Sequence, residues 1–217
     1  DPLAEYHAKR RRDTTPEPMN RSRPSGSRIF VVQQHAARRT HYDLRLEWDG
    51  VLWSWAVPKG PSADPAVKRL AVRTENHPVD YADFEGVIPA GNYGAGAMII
   101  WDRGTWHPLT DKDGVSDLGV GLERGKLLFE LRGFKLKGRW TLVKTRQEWL
   151  FIKERDSYAG ESNFRDDSVL SGLTVDALAA GKTNEQALTR QLRRWRAPPA
   201  PDRPMRPKPM RAVRAEA

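Results

Sequence analysis

The sequence predicts a mainly-β protein, a closed or nearly closed β-barrel of about eight strands with short helices and flexible basic tails. Three observations carry this. Short apolar or alternating runs recur between residues 29 and 153. Turn-forming Gly, Pro and Asp residues separate them, the spacing of a barrel or sandwich. Most of the 8 tryptophans fall inside those strand-like runs.

The strand series opens with the apolar run 29–34. Residues 40–48 alternate, with Tyr42, Leu44 and Leu46 on one face and His41, Asp43 and Arg45 on the other. Asp49-Gly50 is a hairpin turn signal, 51–57 is the return strand, and Pro58-Lys59-Gly60-Pro61 ends it. Residues 68–77 alternate again: Arg69, Arg73, Glu75 and His77 share one parity and Leu70 and Val72 the other, until Pro78 stops the run. So polar a face suits the lining of a cleft. The stretch 86–96 is rich in glycine but lacks Gly-Lys-Ser/Thr, which argues for tight turns over a nucleotide P-loop. Residues 97–101 and 105–107 flank Asp102-Arg103-Gly104, which reads as a second hairpin. Runs at 126–132, 138–144 and 149–153 complete the series.

Past residue 158 the pattern becomes helical. Residues 175–180, stopped by Gly181, form one helix candidate. Residues 183–195 form a second, with Thr183 and Gln186 as a capping box, a stripe of Leu188, Leu192 and Trp195, and Arg190, Arg193, Arg194 and Arg196 on the rest. The expected organisation is an N-terminal arm or lid over 1–27, the barrel over 28–158, a helical extension over 159–196 and a disordered Pro/Arg-rich tail over 197–217.

The net charge of +9 favours a polyanionic partner, most simply nucleic acid. Nine basic and three acidic residues fall in 183–217, so the C-terminal segment carries most of the excess. The absence of cysteine excludes disulfides, zinc–thiolate sites and iron–sulfur clusters. No hydrophobic leader opens the chain and no run approaches a membrane span, so the expectation is a soluble cytoplasmic, nucleoid-associated monomer.

The most informative residues are His35 and the run His41-Tyr42-Asp43-Leu44-Arg45. Positions 41, 43 and 45 project from one face of a strand, and a second imidazole arrives from six residues upstream. Two histidines and an aspartate suit a divalent metal. An arginine beside them adds a fork for phosphate or carboxylate. Together they outline a site for phosphoryl transfer or phosphate hydrolysis. A lone histidine is more often structural, and His7 and His107 are read that way. Arg69, Arg73 and Glu75 also fit a solvated face, Lys59 a turn, and the helix at 183–195 a DNA contact, a partner contact or a solvated surface.

Several motifs resemble one family. They are Val32-Gln33-Gln34-His35-x5-His41-Tyr42-Asp43-Leu44-Arg45-Leu46, then Trp53-Ser54-Trp55-Ala56-Val57-Pro58-Lys59-Gly60-Pro61, Arg73-x-Glu75-x-His77-Pro78-x3-Tyr81, Phe84-Glu85-Gly86-x-Ile88-Pro89 and Gly91-x-Tyr93-Gly94. Over about residues 5–158 the chain resembles the 3′-phosphoesterase module of bacterial DNA ligase D. The resemblance implies a β-barrel with a metal- and phosphate-binding crater on one side. The implied activity removes a 3′-terminal ribonucleoside and then the remaining 3′-phosphate, readying DNA ends for non-homologous end joining. It implies that His35, His41 and Asp43 hold Mn²⁺ or another divalent transition metal, and that Arg45, His77 and Tyr81 grip the scissile phosphate. Arg10 and Glu17 fall in a Tyr-x3-Lys/Arg…Pro-Glu-Pro pattern that the family places beside the site, with Arg11 and Arg12 as alternative registers. Lys59, Arg69 and Glu75 match secondary contacts. The implied partners are a DNA primer–template with a 3′-ribonucleotide or 3′-phosphate end, and a ligase, polymerase or Ku. The chain lacks the Lys-x-Asp-Gly motif of a nucleotidyl transferase.

Two rivals use the same residues differently. In an Fe(II) oxygenase, His41, Asp43 and either His77 or His107 would form the triad. A non-catalytic DNA-end-binding protein would use the positive charge and the aromatic rings alone.

Overall fold

A computed structural model describes residues 1–20, 26–110, 114 and 117–195. The expected disordered tail at 197–217, together with Arg196 and part of the N-terminal arm, lies outside the described residues.

Eight antiparallel strands close into a barrel: β1 (Ile29–Ala36), β2 (Thr40–Trp48), β3 (Val51–Val57), β4 (Lys68–Pro78), β6 (Gly96–Pro108), β7 (Lys126–Gly133), β8 (Lys137–Lys144) and β9 (Trp149–Lys153). The order around the sheet is β1-β2-β3-β4-β9-β8-β7-β6, and pairing of β1 with β6 closes it. A ninth short strand, β5 (Gly86–Ile88), adds to the free edge of β6. The barrel of about eight strands foreseen in the sequence is therefore present.

Alternation explains the interior. Phe30 and Val32 of β1, Leu44 and Leu46 of β2, and Trp55 and Val57 of β3 point inward and join residues of β6 to β9. Five of the eight tryptophans, Trp55, Trp101, Trp106, Trp140 and Trp149, fill this core. Indole rings bury more apolar area per residue than any other side chain, which suits a narrow cylinder. The turn between β2 and β3 is a two-residue hairpin, with φ of 51° at Asp49 and 77° at Gly50. Positive φ at both positions matches the right-handed strand twist, and Asp-Gly tolerates it.

Three expectations need correction. Asp102-Arg103-Gly104 is not a hairpin, because β6 runs unbroken through it. Each of the three residues answers to a distant partner. Asp102 accepts backbone N–H groups from Phe134, Lys135 and Leu136. Arg103 donates to Asp83 and to the Ala82 carbonyl. Gly104 lies where a Cβ would run into the Arg132 carbonyl and the Phe30 ring. Second, the last helix, α4 (Glu185–Trp195), is capped by Asn184 rather than Thr183: the Asn184 side chain accepts from Ala187 N–H at 3.4 Å. Third, the polar residues of β4 do not share a face. Ser54 pairs with Thr74 but Leu52 with His77, so β4 carries one extra residue between them. The bulge reverses parity. Arg73 lies on the inner side over the Trp53 and Trp55 rings, whereas Glu75 and His77 face outward.

The outward faces of β1, β3 and β6 are covered as well. Helix α1 (Ala4–Ala8) and a 3₁₀ turn (Val79–Asp83) pack there through Tyr6, Tyr81 and Ala82, against Val31, Leu52, Met98 and Ile100. Residues 159–195 are built onto the barrel. Leu170 joins this second core, with Leu188 and Leu192 of α4 packed against it. Helix α3 (Val175–Ala179), capped by Thr174, packs on Ala97 and Ile99. Helix α2 (Leu118–Arg124) buries Leu118 in the barrel core. Among the described residues no helix is long and apolar enough to cross a membrane.

Candidate active site

The floor of the site is the outer face of β1 to β4. Antiparallel pairing sets His35 opposite His41, Gln33 opposite Asp43 and Val31 opposite Arg45. On the other side, Ala56 faces Asp43 and Ser54 faces Arg45. Directly opposed residues project to the same face, so three strands bring these side chains together without any loop contribution. The N-terminal arm, the 3₁₀ turn and the 84–95 segment wall a cavity of about 160 Å³ over this floor.

At one end His35, His41 and Asp43 offer ligand atoms within 4.8 Å of one another. His35 Nδ1 lies 4.0 Å from Asp43 Oδ2, and His41 Nε2 lies 3.6 Å from Oδ1. The far nitrogen of each ring is held by a backbone carbonyl: His35 Nε2 by Gly94 at 2.8 Å and His41 Nδ1 by Arg39 at 3.0 Å. A carbonyl only accepts, so in the neutral ring the proton sits on that side and the lone pair turns toward Asp43. Burial pushes the His35 pKa down, against the pull of Asp43. Two imidazoles, with ring orientation fixed from behind, and a carboxylate are a fitting donor set for a divalent transition metal.

Arg45 is buried in the middle of the floor. It donates from Nε to Gln33 Oε1 at 2.8 Å, from Nη1 to Ser54 Oγ at 2.9 Å, and from Nη2 to Asp43 Oδ2 at 3.0 Å. Its Nη1 also lies 3.0 Å from His77 Nδ1. Gln33 is itself oriented by donating to the carbonyls of Tyr81 and Phe84. The guanidinium is therefore locked in one plane before any ligand arrives.

Arg10 closes the cavity from the arm. It donates to Glu17 Oε1 at 2.8 Å and to Glu75 Oε1 at 3.1 Å, and its Nη2 lies 3.4 Å from His77 Nε2. Burial works against its charge, but Glu17, Tyr6 and Tyr81 together outweigh burial and the pKa is raised. The Tyr81 hydroxyl donates to the same Glu17 oxygen at 2.8 Å. Burial raises the Glu75 carboxyl, yet hydrogen bonds from its own backbone, Arg10 and Lys9 bring it below the usual range. His77 is flanked by a guanidinium at each ring nitrogen. Burial first, then Arg45 and Arg10, hold its pKa well below the ordinary value.

The cavity thus gathers Arg10, Glu17, His35, His41, Asp43, Arg45, Glu75, His77 and Tyr81. Of the three consecutive arginines only Arg10 turns inward. Arg11 is exposed and pairs with Asp13, and Arg12 donates to the Met19 carbonyl. Lys59 is exposed in the turn after β3. Arg69 sits upstream of the β4 bulge, opposite the core residue Phe151. Neither Lys59 nor Arg69 lines the cavity. His77 and His107 stand outside the ligand group formed by His35, His41 and Asp43, so the oxygenase triad does not assemble among the described residues. Sequence reasoning assigned no role to Gln33 and Ser54, although they share parity with His35 and with the return strand's site-facing residues. It also passed over Tyr6, whose ring packs 4.9 Å from His77 and 3.9 Å from the Arg10 guanidinium, and Tyr93 on the rim.

Comparison with known proteins gives the family of the chain. Residues 33–144 match the family model described as the DNA Ligase D 3′-phosphoesterase domain. The chain is 51% identical over 188 residues to the multifunctional non-homologous end joining protein LigD of Pseudomonas aeruginosa, covering 80% of this chain and 22% of that protein. It is 39% identical over 183 residues to the multifunctional non-homologous end joining DNA repair protein LigD of Mycobacterium tuberculosis, covering 83% and 23%. It is 44% identical over 161 residues to the LigD protein of Mycolicibacterium smegmatis, covering 72% and 21%. The chain therefore spans about a fifth of the length of these relatives. A matched segment that includes the second half of β1 and all of β2, β3 and β4 makes this chain a member of the DNA ligase D 3′-phosphoesterase domain family.

Proposed function

We propose that this chain is a metal-dependent 3′-phosphodiesterase and 3′-phosphomonoesterase. It would act on DNA ends in non-homologous end joining, removing a terminal ribonucleoside and then the 3′-phosphate. The observation that carries the reading is a single cavity joining a His–His–Asp ligand set to two buried guanidiniums and the buried His77.

His35, His41 and Asp43 would hold Mn²⁺ or a similar divalent ion, which supplies Lewis acidity toward a phosphate oxygen or a bound water. Arg45 donates to Gln33, Ser54 and Asp43, and its remaining N–H groups are available to a phosphate oxygen. Its fixed plane supports charge that develops on non-bridging oxygens without reorganisation. Arg10 adds a second cation on the opposite wall. The Glu75 carbonyl lies 3.0 Å from His77 Nδ1 and fixes the proton of the neutral ring on that side, so Nε2, beside Arg10, is the nitrogen turned toward the phosphate. Glu17 and Glu75 act on Arg10, holding it charged and in place. Tyr81, committed to Glu17, reaches the phosphate through that pair.

A primer–template ending in one 3′-ribonucleotide tests the reading, with Mn²⁺ and with chelator. Wild-type protein is expected to shorten the primer and leave a 3′-hydroxyl only with the metal. Asp43→Ala is expected to abolish both steps and Mn²⁺ binding while retaining a wild-type circular dichroism spectrum. Wild-type turnover by a folded Asp43→Ala protein would overturn the assignment, and metal-independent end binding without turnover would leave an end-binding protein. Joint retention of the ends with a ligase, a polymerase or Ku would extend the reading to the partners of end joining.

A further inference from the structure

We propose that Tyr93 forms a nucleobase-stacking subsite at the mouth of the cavity. It would bind the base of the 3′-terminal nucleoside whose phosphate lies between Arg45 and Arg10. The inference rests on the phosphoesterase reading above and names how that site holds the rest of its substrate.

Volume bears on this first. A pocket of about 160 Å³ falls short of the roughly 300–1,000 Å³ that encloses a drug-sized ligand. It takes a phosphate and its ester linkages, and the attached nucleoside must rest against the rim. The rim has suitable chemistry. Tyr93 lines the cavity yet is 50% exposed, one of the few large aromatic side chains left open on the surface. The floor and inner wall have no free ring to offer, since Tyr6 and Tyr81 are fully buried and their hydroxyls are committed to the Pro18 carbonyl and Glu17. Placement agrees. The Lys9 ammonium lies 5.0 Å and the Arg10 guanidinium 5.3 Å from the Tyr93 ring centroid. Both cations lie over the ring, so a base would take the part of the ring that is left exposed, with the two cations near enough to serve the adjoining phosphate. Tyr93 also precedes Gly94, whose carbonyl holds His35, so one turn sets both a ligand histidine and the ring. Base–aromatic stacking tolerates any base, as end processing requires.

The test compares primer–templates whose terminal ribonucleoside carries a base or is abasic. Affinity is measured by fluorescence anisotropy in chelator, so that binding is read whether or not turnover occurs. Tyr93→Ala is expected to weaken binding of the base-bearing end about tenfold and to leave the abasic end within twofold. Tyr93→Phe is expected to bind both as wild type does. Mn²⁺ titration of Tyr93→Ala by calorimetry is expected to match wild type, showing that Gly94 and His35 have not moved. Equal affinity of wild type and Tyr93→Ala for the base-bearing end would overturn the subsite, as would equal weakening on both ends. Failure of the wild-type protein to trim any end would instead count against the phosphoesterase reading, and the binding comparison would still decide the role of Tyr93.

Discussion

His77 is buried with a guanidinium against each ring nitrogen, and this has a consequence in pH. In the unfolded chain a histidine titrates near 6.5. In the fold its pKa is held well below that by burial, then by Arg45 and Arg10. The unfolded chain therefore binds the extra proton first. Stability from the neutral ring is fully present above about pH 6.5 and is lost as pH falls below it. Thermal melts in chelator are expected to show a lower midpoint at pH 5.5 than at pH 7.5. His77→Gln, which cannot titrate, is expected to flatten the dependence. Part of the slope remains, since burial also lowers the His35 pKa. An unaltered pH profile in the variant would contradict this account. At this scale the sequence was only partly legible. The alternation of β2 exposed His41, Asp43 and Arg45 as one face, because period two is a local property. The choice of Arg10 among three adjacent arginines was not local, since Glu17 and Glu75 make it.

Among the elements, β6 shows how a turn-like triplet can sit inside a strand. The Asp102 carboxylate takes three N–H groups of the β7–β8 turn, at 3.0, 3.0 and 2.8 Å. It replaces the acceptors which that turn cannot find in its own ladder. Asp102→Ala leaves those donors without a partner, and a buried unsatisfied group costs about 1–3 kcal/mol. The expected loss of stability is at least about 2 kcal/mol, read as a lower denaturant midpoint with an unchanged slope. A midpoint equal to wild type would remove Asp102 from this role. The Asp49-Gly50 hairpin was readable because the turn and its flanking strands are contiguous. The Asp102 triplet was not, because its partners lie 20 or more residues away, upstream for Arg103 and downstream for Asp102. The bulge in β4 was hidden for the same reason: Arg73 and Glu75 are two apart in sequence, and only pairing with β3 shows that they face opposite ways.

For the whole molecule, charge and architecture act separately. The barrel supplies geometry, while much of the basic excess lies near the C-terminus. A chain ending at residue 195 lacks six basic and two acidic residues. Its DNA affinity is expected to fall less steeply with salt, by about 0.9 in the log–log slope for each phosphate that is no longer neutralised. Its trimming rate at saturating DNA is expected to be unchanged. An identical salt slope would exclude the segment from DNA contact. The outer-wall position of the cavity has an evolutionary corollary. Selection for heat or cold tolerance can rework the layer of indole rings within the cylinder while the chemical groups outside it stay as they are. The packing of the centre can thus change without displacing the groups that line the cavity.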